Sequence, residues 1–337
     1  MPGSDATPGI EAGQGAQGDS GPDSAASPID TGLAASDSAQ DTGAMGDARP
    51  GADAGGADGG DSGSDSQPPD GTPGGDAAVE DPWRGLLVHY ALHRVEEENA
   101  GVDPKDIVVP NRAGELLNLK LSPVKPNEIS YGPTGATFTG NGGRLEATDL
   151  ASSNFGQAIQ EAGALTVEVW AKTPNGAQSD PKRMVAYSHD HTRHSLILGQ
   201  EEENFAARCQ TTATSDIGGH LDGEGCLGFG DHLLMKASVF PTTEFRHLAL
   251  VFDPTWPGTA IYVDGVEQGR CFHMVGSGGY GVLRGWTEDN QIFALGDSPA
   301  GSRSWEGTLK RVLVWNRTLS PAELRDHSDN EAALDSP

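Results

Sequence analysis

The sequence predicts an all-β fold, a sandwich of two antiparallel sheets with a short C-terminal helix, preceded by a disordered tail. Three observations lead to this prediction. Short apolar runs bounded by turn residues follow one another from about residue 86, helical patterns are almost absent, and no Phe, Tyr or Trp occurs before Trp83. Many short strands with almost no helix are typical of sandwiches and barrels.

The N-terminal segment, residues 1–82, consists mainly of Gly, Ala, Asp, Ser and Pro. Residues 1–80 contain fifteen acidic residues and one basic residue, Arg49, and so carry −14 of the net charge of −27. Such a segment cannot bury enough apolar surface to offset the entropy of ordering its backbone, about 1–2 kcal/mol per residue. We therefore expect a disordered acidic linker over 1–82, a folded domain over 83–328 and a disordered C-terminus over 329–337.

Apolar and polar residues alternate in several of the predicted strands. The alternation in residues 117–121 is that of a half-buried strand. In residues 165–171, Leu165, Val167, Val169 and Ala171 share one face, and Glu168 lies on the opposite one. Other runs with strand character are 86–92, 184–187, 195–198, 205–208, 245–252, 260–263, 291–296 and 308–315.

Turn and cap signals complete the pattern. Asp264-Gly265 between two β-like runs predicts a tight hairpin. Ser320, Pro321 and Glu323 form an N-cap, a first helical residue and a capping-box partner, so a short helix is predicted to run to about His327. A second short helix is predicted near residues 153–162.

The charge and hydropathy of the chain bear on its partners and location. The tail and the remainder are both acidic, which argues against DNA, RNA and anionic membrane surfaces as partners. No apolar run approaches the roughly 20 residues that a transmembrane helix needs, and no signal-peptide pattern opens the sequence. The repeated Asp-Ala-Gly and Asp-Ser-Gly units resemble the spacers that follow the anchor cysteine of bacterial surface lipoproteins. We expect an extracytoplasmic protein, secreted or on a cell surface.

Four segments resemble the laminin-G-like domains of bacterial surface proteins, within the concanavalin A-like lectin/glucanase superfamily. They are 165–172 (LTVEVWAK), 245–266 with its Asp-Gly turn, 307–324 (GTLKRVLVWNRTLSPAEL) and 198–214. These are packing and turn motifs in the right order, and the resemblance covers nearly all of residues 85–328. It implies a two-sheet antiparallel jelly roll.

The resemblance raises the question of catalysis. Glucanases of the superfamily use two carboxylates on alternate residues of one strand, within a Glu-x-Asp-x-x-Glu pattern, as nucleophile and acid/base. No such run occurs here, and Glu168 stands alone on its strand. No P-loop, dinucleotide fingerprint or Ser-His-Asp arrangement appears in a suitable context. We expect that the protein is not an enzyme.

The resemblance also bears on metal binding. Domains of this type often hold one Ca²⁺ at the rim through oxygen ligands, which here implies Asn111 and Asp297 as candidate ligands. Asn111 stands where the family pattern has Asp, and Lys310-Arg311 stand where the family often has two acidic residues. The alternatives left open are a weakened calcium site and no metal cofactor.

Aromatic residues outside the predicted strands are candidates for stacking against a sugar ring. Tyr280, Trp286 and Trp305 lie in glycine-rich or polar stretches and are predicted to contact a ligand, whereas Trp170 and Trp315 are predicted to lie in the core.

Three cysteines occur in the chain, which permits one disulfide and one thiol or three thiols. The first choice for a disulfide is Cys209–Cys226, which would close a loop over the insertion between them.

Three function hypotheses remain. We expect a non-catalytic extracytoplasmic recognition module that binds a surface glycan or protein ligand, carried on a flexible stalk. The first alternative is a structural or protein–protein interaction domain without a small ligand. The second is a glycoside hydrolase with an unfamiliar site.

Overall fold

The computed structural model describes residues 81–335 except 115–116, 118, 148–153, 190–193, 213–214, 218–230, 257, 275–280, 285 and 287–290. The described residues belong to one compact unit, 75–337. The predicted disordered linker lies outside them apart from residues 81 and 82, which open a turn closed by a bond from Arg84 N to Asp81 O of 3.1 Å.

The described residues form sixteen strands and three α-helices. In chain order they are β1 Leu86–Ala91, α1 Val95–Glu98, β2 Leu121–Val124, β3 Ile129–Gly132, β4 Gly135–Thr139, β5 Arg144–Ala147, α2 Phe155–Ala162, β6 Leu165–Thr173, β7 Gln178–Ser188, β8 His194–Glu202, β9 Asn204–Gln210, β10 Ser215–Ile217, β11 Asp231–Lys236, β12 Thr242–Asp253, β13 Gly258–Val263, β14 Val266–Met274, β15 Ile292–Leu295, β16 Glu306–Trp315 and α3 Pro321–Asp329.

The strands form two antiparallel sheets, which confirms the predicted sandwich. The nine-stranded sheet has the order β10-β14-β13-β12-β6-β16-β4-β3, with β1 also paired to β16. The seven-stranded sheet has the order β11-β9-β8-β7-β15-β5-β2. β1, the first strand, pairs with one half of β16, the last strand, and β4 pairs with the other half. The two ends of the domain in sequence are therefore adjacent in the sheet.

Two separate clusters of buried side chains lie on opposite faces of the nine-stranded sheet. Leu165, Val167 and Val169 of β6 enter the main core, as the alternation predicts. Trp170 of the same strand and Trp315 of β16 point to the other face and join a second cluster. We call this second face the outer face; α3 covers part of it through Leu324.

The turn and cap predictions are confirmed. Asp264 and Gly265 both have positive φ, 51° and 71°, and connect β13 to β14 as a primed hairpin turn requires. Ser320 Oγ accepts a bond from Glu323 N, and Glu323 accepts one from Ser320 N, which forms the capping box at the start of α3. The predicted helix near 153–162 is α2.

The prediction of a disordered C-terminus over 329–337 is wrong for residues 329–335. After α3 the chain forms a 3₁₀ helix, Glu331–Asp335, in which Leu334 is buried. The guanidinium of Arg311 donates to Glu331 O at 3.0 Å and to the carboxylate of Asp335. The segment is fixed by the burial of Leu334 and by the bonds of Glu331 and Asp335 to Arg311, a buried residue of β16.

The predicted strand over 117–121 is also corrected. Leu117, Leu119 and Leu121 are all buried, as the alternation predicts. Leu119 N bonds to Leu117 O at 2.7 Å instead of joining a sheet, and β2 begins only at Leu121. The alternating pattern here thus marks which side chains are buried, although this segment does not pair with a strand before Leu121.

No helix among the described residues is long and apolar enough to cross a membrane.

Candidate functional site

The predicted ligand-stacking roles of Trp286 and Trp305 are not compatible with where these rings lie. Both side chains are fully buried. Trp286 stacks on Tyr187 at 5.6 Å and donates from Nε1 to Gln210 O at 3.2 Å. Trp305 donates from Nε1 to Oε1 of Gln200 at 3.0 Å. Their polar neighbours in sequence therefore mark loops that fold inward; Tyr280, the third candidate, lies outside the described residues.

Asn111, a predicted calcium ligand, acts as a clamp between a loop and β1. Its Oδ1 accepts bonds from His89 N at 2.8 Å and from Ala113 N at 3.1 Å. Its Nδ2 donates to Leu87 O at 2.8 Å and to Leu117 O at 2.9 Å. All four hydrogen-bonding positions of the amide are thus occupied by the backbone.

Asp297, the second predicted calcium ligand, is buried and holds its own loop. Oδ1 accepts bonds from Ser298 N at 2.6 Å and Arg303 N at 2.7 Å, and Oδ2 accepts one from Ser304 Oγ at 2.6 Å. These three donors compensate the burial of the carboxylate. Asp297 pins the 297–304 turn.

The described residues do not supply a donor set that fits the implied calcium site. They contain no group of three or more His, Cys, Asp or Glu side chains that could hold a metal ion. Lys310 binds Glu331 at 2.6 Å, and Arg311 binds Asp335, so cations of the protein occupy the carboxylates at this end of β16.

The predicted Cys209–Cys226 disulfide is corrected in one respect. Cys209 is a buried thiol, whereas Cys271 is disulfide-bonded. Cys209 lies on the core face of β9, while Cys226 lies outside the described residues. Proximity in sequence to the insertion is therefore a poor guide to the pairing.

A buried carboxylate organises the outer face. Glu168 of β6 is fully buried, and Oε2 lies 3.0 Å from Nε2 of His247. Oε1 accepts a bond from Nε1 of Trp315 at 2.8 Å, and Nδ1 of His327 on α3 lies 3.0 Å from Oε2. Three of the four segments that carry the family resemblance, together with α3, meet at this carboxylate.

The electrostatics of this cluster favour an ionised Glu168. Burial by itself raises the pKa of the carboxyl, but the hydrogen bonds and charges of His247 and His327 outweigh burial and lower it to about 2. Burial in turn lowers the pKa of His327, and the bond to Glu168 more than compensates, so the pKa is raised. With the carboxylate buried beneath α3, the cluster is a structural ion pair with no access for a substrate.

A depression of about 610 Å³ lies on the outer face next to this cluster, and we call it the Trp83 pocket. It is open to solvent, and its lining combines an indole, leucines and small residues with two arginines, one aspartate and one amide. The lining residues are Asp81, Trp83, Arg84, Gly85, Leu86, Leu87, Arg112, Ala113, Gly114 and Asn316.

The Trp83 ring forms the aromatic wall of this pocket. It lies parallel to His89 at 6.2 Å and to Trp315 at 6.1 Å, with an interplanar angle of 9° in both pairs. His89 of β1 is paired with Leu313 of β16, and Leu313 and Trp315 both belong to the cluster on the outer face. Burial, and then the charges of Arg311 and Arg112, lower the pKa of His89 to about 3, and the stack therefore contains a neutral imidazole.

Two clamps fix the walls of the Trp83 pocket. Arg317 stacks on Trp315 at 5.1 Å and donates from Nε to Arg84 O at 2.7 Å, which holds the segment that carries Trp83. Asn111 holds a second part of the lining, because its bonds fix the loop that carries Arg112. The sequence predicted Asn111 as a calcium ligand, whereas its amide binds the backbone next to the Trp83 pocket.

A second depression, which we call the Trp256 cleft, has a volume of about 310 Å³ and lies at the start of α3. The guanidinium of Arg270 lies 3.6 Å from the centre of the Trp256 ring and covers one of its faces. Its lining residues are Val251, Asp253, Trp256, Ala260, Tyr262, Arg270, Thr318, Leu319, Ser320, Pro321 and Glu323.

The two depressions differ in the carboxylates that line them. The Trp83 pocket has one lining carboxylate, Asp81. The Trp256 cleft has two, Asp253 and Glu323. Asp253 accepts two bonds from Thr255, and Glu323 is held by Arg317 and by Ser320 N. An acid/base and nucleophile pair needs two carboxyl groups that face one ligand, and the lining of the Trp83 pocket offers one.

Sequence reasoning did not identify Trp83, Arg84, Arg112 or Trp256 as site residues. Trp83 was informative only as the first aromatic residue of the domain. Its proximity to Trp315 depends on the pairing of β1 with β16, which joins residues at opposite ends of the domain. No local pattern carries that information.

Comparison with known proteins gives a family assignment. Residues 140–325 match a laminin-G family model described as the concanavalin A-like lectin/glucanases superfamily. The match covers more than half of the chain. No curated protein sequence matches it.

Solved structures with a similar fold include an enzyme and two toxin domains. Trypanosoma rangeli sialidase in complex with sialic acid shows 14% identity and a TM-score of 0.48 over 75% of this chain and 34% of that chain. The binding domain of Paraclostridial Mosquitocidal Protein 1 shows 12% identity and a TM-score of 0.46 over 74% and 53%. The receptor binding domain of botulinum neurotoxin mosaic serotype C/D shows 7% identity and a TM-score of 0.48. That match covers 74% of this chain and 52% of that chain. The chain spans about a third of the sialidase and about half of each toxin domain.

Proposed function

The chain belongs to the concanavalin A-like lectin/glucanases superfamily, and from this premise we propose that it is a non-catalytic recognition module that binds a carbohydrate. The observation that carries the proposal is the Trp83 pocket. An indole in the wall of an open depression, beside arginine and amide side chains, is the combination that sugar recognition uses.

The shape of the pocket supports this proposal. Its volume of about 610 Å³ lies within the range of small-ligand pockets, roughly 300–1,000 Å³. The apolar C–H face of a pyranose stacks on an indole, and the hydroxyl groups around its edge take hydrogen bonds from side chains such as Arg84 and Asn316. The indole is itself fixed by two parallel rings, so little side-chain freedom is lost on binding.

The charged groups of the outer face support a binding role without catalysis. The buried Glu168 is held by two histidines and a tryptophan and is out of reach of a substrate. The lining of the Trp83 pocket offers Asp81 as its only carboxylate among the described residues. A site of this kind can hold a sugar but lacks the second carboxyl group that hydrolysis requires.

The composition of the N-terminal segment supports an extracytoplasmic location, on a cell surface or secreted. Residues 1–80 are rich in Gly, Ala, Asp, Ser and Pro and carry a net charge of −14, a composition that resembles the spacers of bacterial surface proteins. A surface location suits a glycan or a glycosylated protein as the partner.

Glycan-array screening of the full chain, followed by titration of the best glycan with detection by tryptophan fluorescence, tests the proposal. We expect a saturable signal in the wild type and its loss in Trp83→Ala. Trp256→Ala is the matched control, because it removes an indole from the other depression. Loss of binding in the control instead would move the site to the Trp256 cleft.

A fully negative screen would overturn the proposal. Absence of binding to every glycan, together with capture of a protein ligand by a surface that includes Trp83, would establish the alternative of a protein–protein interaction domain. Circular dichroism of Trp83→Ala and Trp83→Phe distinguishes a lost ligand contact from a lost fold.

A further inference from the structure

We infer that the ligand of the Trp83 pocket is an acidic sugar, whose carboxylate is bound by Arg84 and Arg112. This inference rests on the proposed function and names the class of ligand for the same site. It follows from the charged side chains that line the pocket and from the ion pairs that these side chains form.

Arg84 supplies the first positive charge. Its side chain is exposed, and the part of the chain that the structure describes gives it no carboxylate partner. Its backbone is fixed at both ends, because Arg84 N bonds to Asp81 O and Arg84 O accepts from Arg317. A guanidinium on a fixed backbone, at the edge of an aromatic wall, is well placed for a carboxylate.

Arg112 supplies the second charge from another segment of the lining. It forms one ion pair, with the carboxylate of Glu98, and its side chain remains 23% exposed. A guanidinium has five N–H donors, so this pair leaves donors available for a ligand. Arg112 N bonds to His89 O at 2.9 Å, and the Asn111 clamp holds the same loop. The second guanidinium therefore also belongs to a rigid wall.

The lining has one carboxylate, Asp81, against the two guanidinium groups, which leaves a formal excess of one positive charge. Oδ1 of Asp81 accepts a bond from Trp83 N at 3.0 Å and so closes the turn that presents the indole. His89 beneath the indole is neutral at physiological pH, since its pKa is lowered to about 3 by burial and by nearby arginines. The pocket thus has a local excess of positive charge.

This local excess contrasts with the charge of the whole chain. The net charge is −27, and 15 acidic residues precede the pocket in residues 1–80. That charge repels polyanions at long range, but its effect is screened beyond about 8 Å at physiological ionic strength. Two arginines in the lining of one pocket therefore give selectivity for an anionic group at contact distance, without general affinity for polyanions.

Arg317 differs from these two arginines in what it contacts. Its donors bind Arg84 O, Pro82 O and the carboxylate of Glu323, and its plane lies on Trp315. It fastens the pocket wall but is not one of the residues that line the pocket. Replacement of Arg317 is thus expected to alter stability, whereas replacement of Arg84 or Arg112 alters selectivity.

The test compares matched sugars on the full chain by isothermal titration calorimetry in 150 mM NaCl. The probes are uronic-acid trisaccharides of the galacturonate, glucuronate and mannuronate types, each paired with its carboxyl-reduced counterpart. We expect at least one acidic trisaccharide to bind about tenfold or more tightly than its reduced form, as a charge-assisted contact predicts. In Arg84→Gln and in Arg112→Gln this ratio is expected to fall to about twofold.

Lys105→Gln serves as the control for charge, since it removes one positive charge from an exposed side chain outside the lining. Its ratio should equal that of the wild type. Equal affinity of every acidic and reduced pair would overturn the inference and leave the proposed carbohydrate binding intact. Failure of all three acidic sugars to bind would also overturn the inference, whereas the glycan-array screen decides the proposed carbohydrate binding. Thermal unfolding of each variant checks that the fold is retained.

Discussion

Nδ1 of His327 on α3 lies 3.0 Å from Oε2 of Glu168 at the centre of β6. The bond joins the C-terminal helix to the middle of the nine-stranded sheet and lies in a buried cluster with Trp315 and His247. The outer face, on which the Trp83 pocket is built, therefore depends on a charge pair contributed by segments far apart in sequence.

His327→Ala should destabilise the domain by about 3–5 kcal/mol, because it removes one partner of a buried carboxylate. The midpoint of urea denaturation, followed by tryptophan fluorescence, gives the change. Arg325→Ala is the matched control, since Arg325 is exposed on the same helix. A change below about 0.5 kcal/mol in both variants would show that the pair contributes little.

The same cluster predicts how stability depends on pH. The folded pKa of Glu168 is about 2, below its ordinary value of 4.5, so its contribution is present above pH 4.5 and lost as the pH falls through 2. The folded pKa of His327 is raised above 6.5, so its contribution is present below pH 6.5 and lost as the pH rises through the folded pKa. Denaturation series at pH 2–9 should show both limbs, and Glu168→Gln should flatten both. Retention of either limb in that variant would assign it to other groups.

Asn111→Asp distinguishes a clamp from a calcium ligand. The substitution replaces the two N–H donors that bind Leu87 O and Leu117 O with an oxygen that faces both carbonyls. We expect a loss of about 2–4 kcal/mol, measured by thermal or urea unfolding, and no recovery on addition of millimolar Ca²⁺. A variant that regains stability with Ca²⁺ would restore the calcium hypothesis for this loop.

Removal of residues 331–337 should destabilise the domain by about 3–5 kcal/mol, since it leaves the buried guanidinium of Arg311 without Glu331 and Asp335. Arg311→Met in the shortened chain should recover part of the loss, because the unpaired buried charge is then absent. Urea unfolding of the wild type, the shortened chain, Arg311→Met and the shortened chain with Arg311→Met forms a double-mutant cycle. Additive effects in that cycle would mean that Arg311 and the C-terminal segment are not coupled.

The cysteines give a chemical test of the fold. Iodoacetamide should label Cys209 only after denaturation, since the thiol is fully buried. Cys271 should be labelled only after reduction, because it is disulfide-bonded. Peptide mass spectrometry under non-reducing conditions reads both, and a cross-linked peptide that contains Cys209 would contradict the structure.

The sequence predicts the sandwich well because its strands, turns and caps are local signals. The alternation around Glu168 places Val167 and Val169 in the core, and the Asp264-Gly265 pair marks a hairpin that forms as predicted. These features depend on neighbouring residues only.

The site is predicted poorly because it depends on contacts between distant segments. Trp305 looks like a loop residue in sequence, yet Gln200, some hundred positions earlier, binds its indole inside the sandwich. Trp83 is an ordinary first aromatic residue until β16 brings Trp315 beneath it. The same applies to residues 331–335, whose order depends on Arg311.

The pairing of β1 with β16 also constrains how the domain acquires its structure. Leu86 lies opposite Trp315, and β6 needs β16 along most of its length. A ribosome must therefore release almost the whole domain before β1, β4 and β6 can pair with β16. Topologies with such long-range pairings fold slowly and expose unpaired strand edges meanwhile. The nine-stranded sheet is thus completed only at the end of translation, and until then its unpaired strand edges need protection from aggregation.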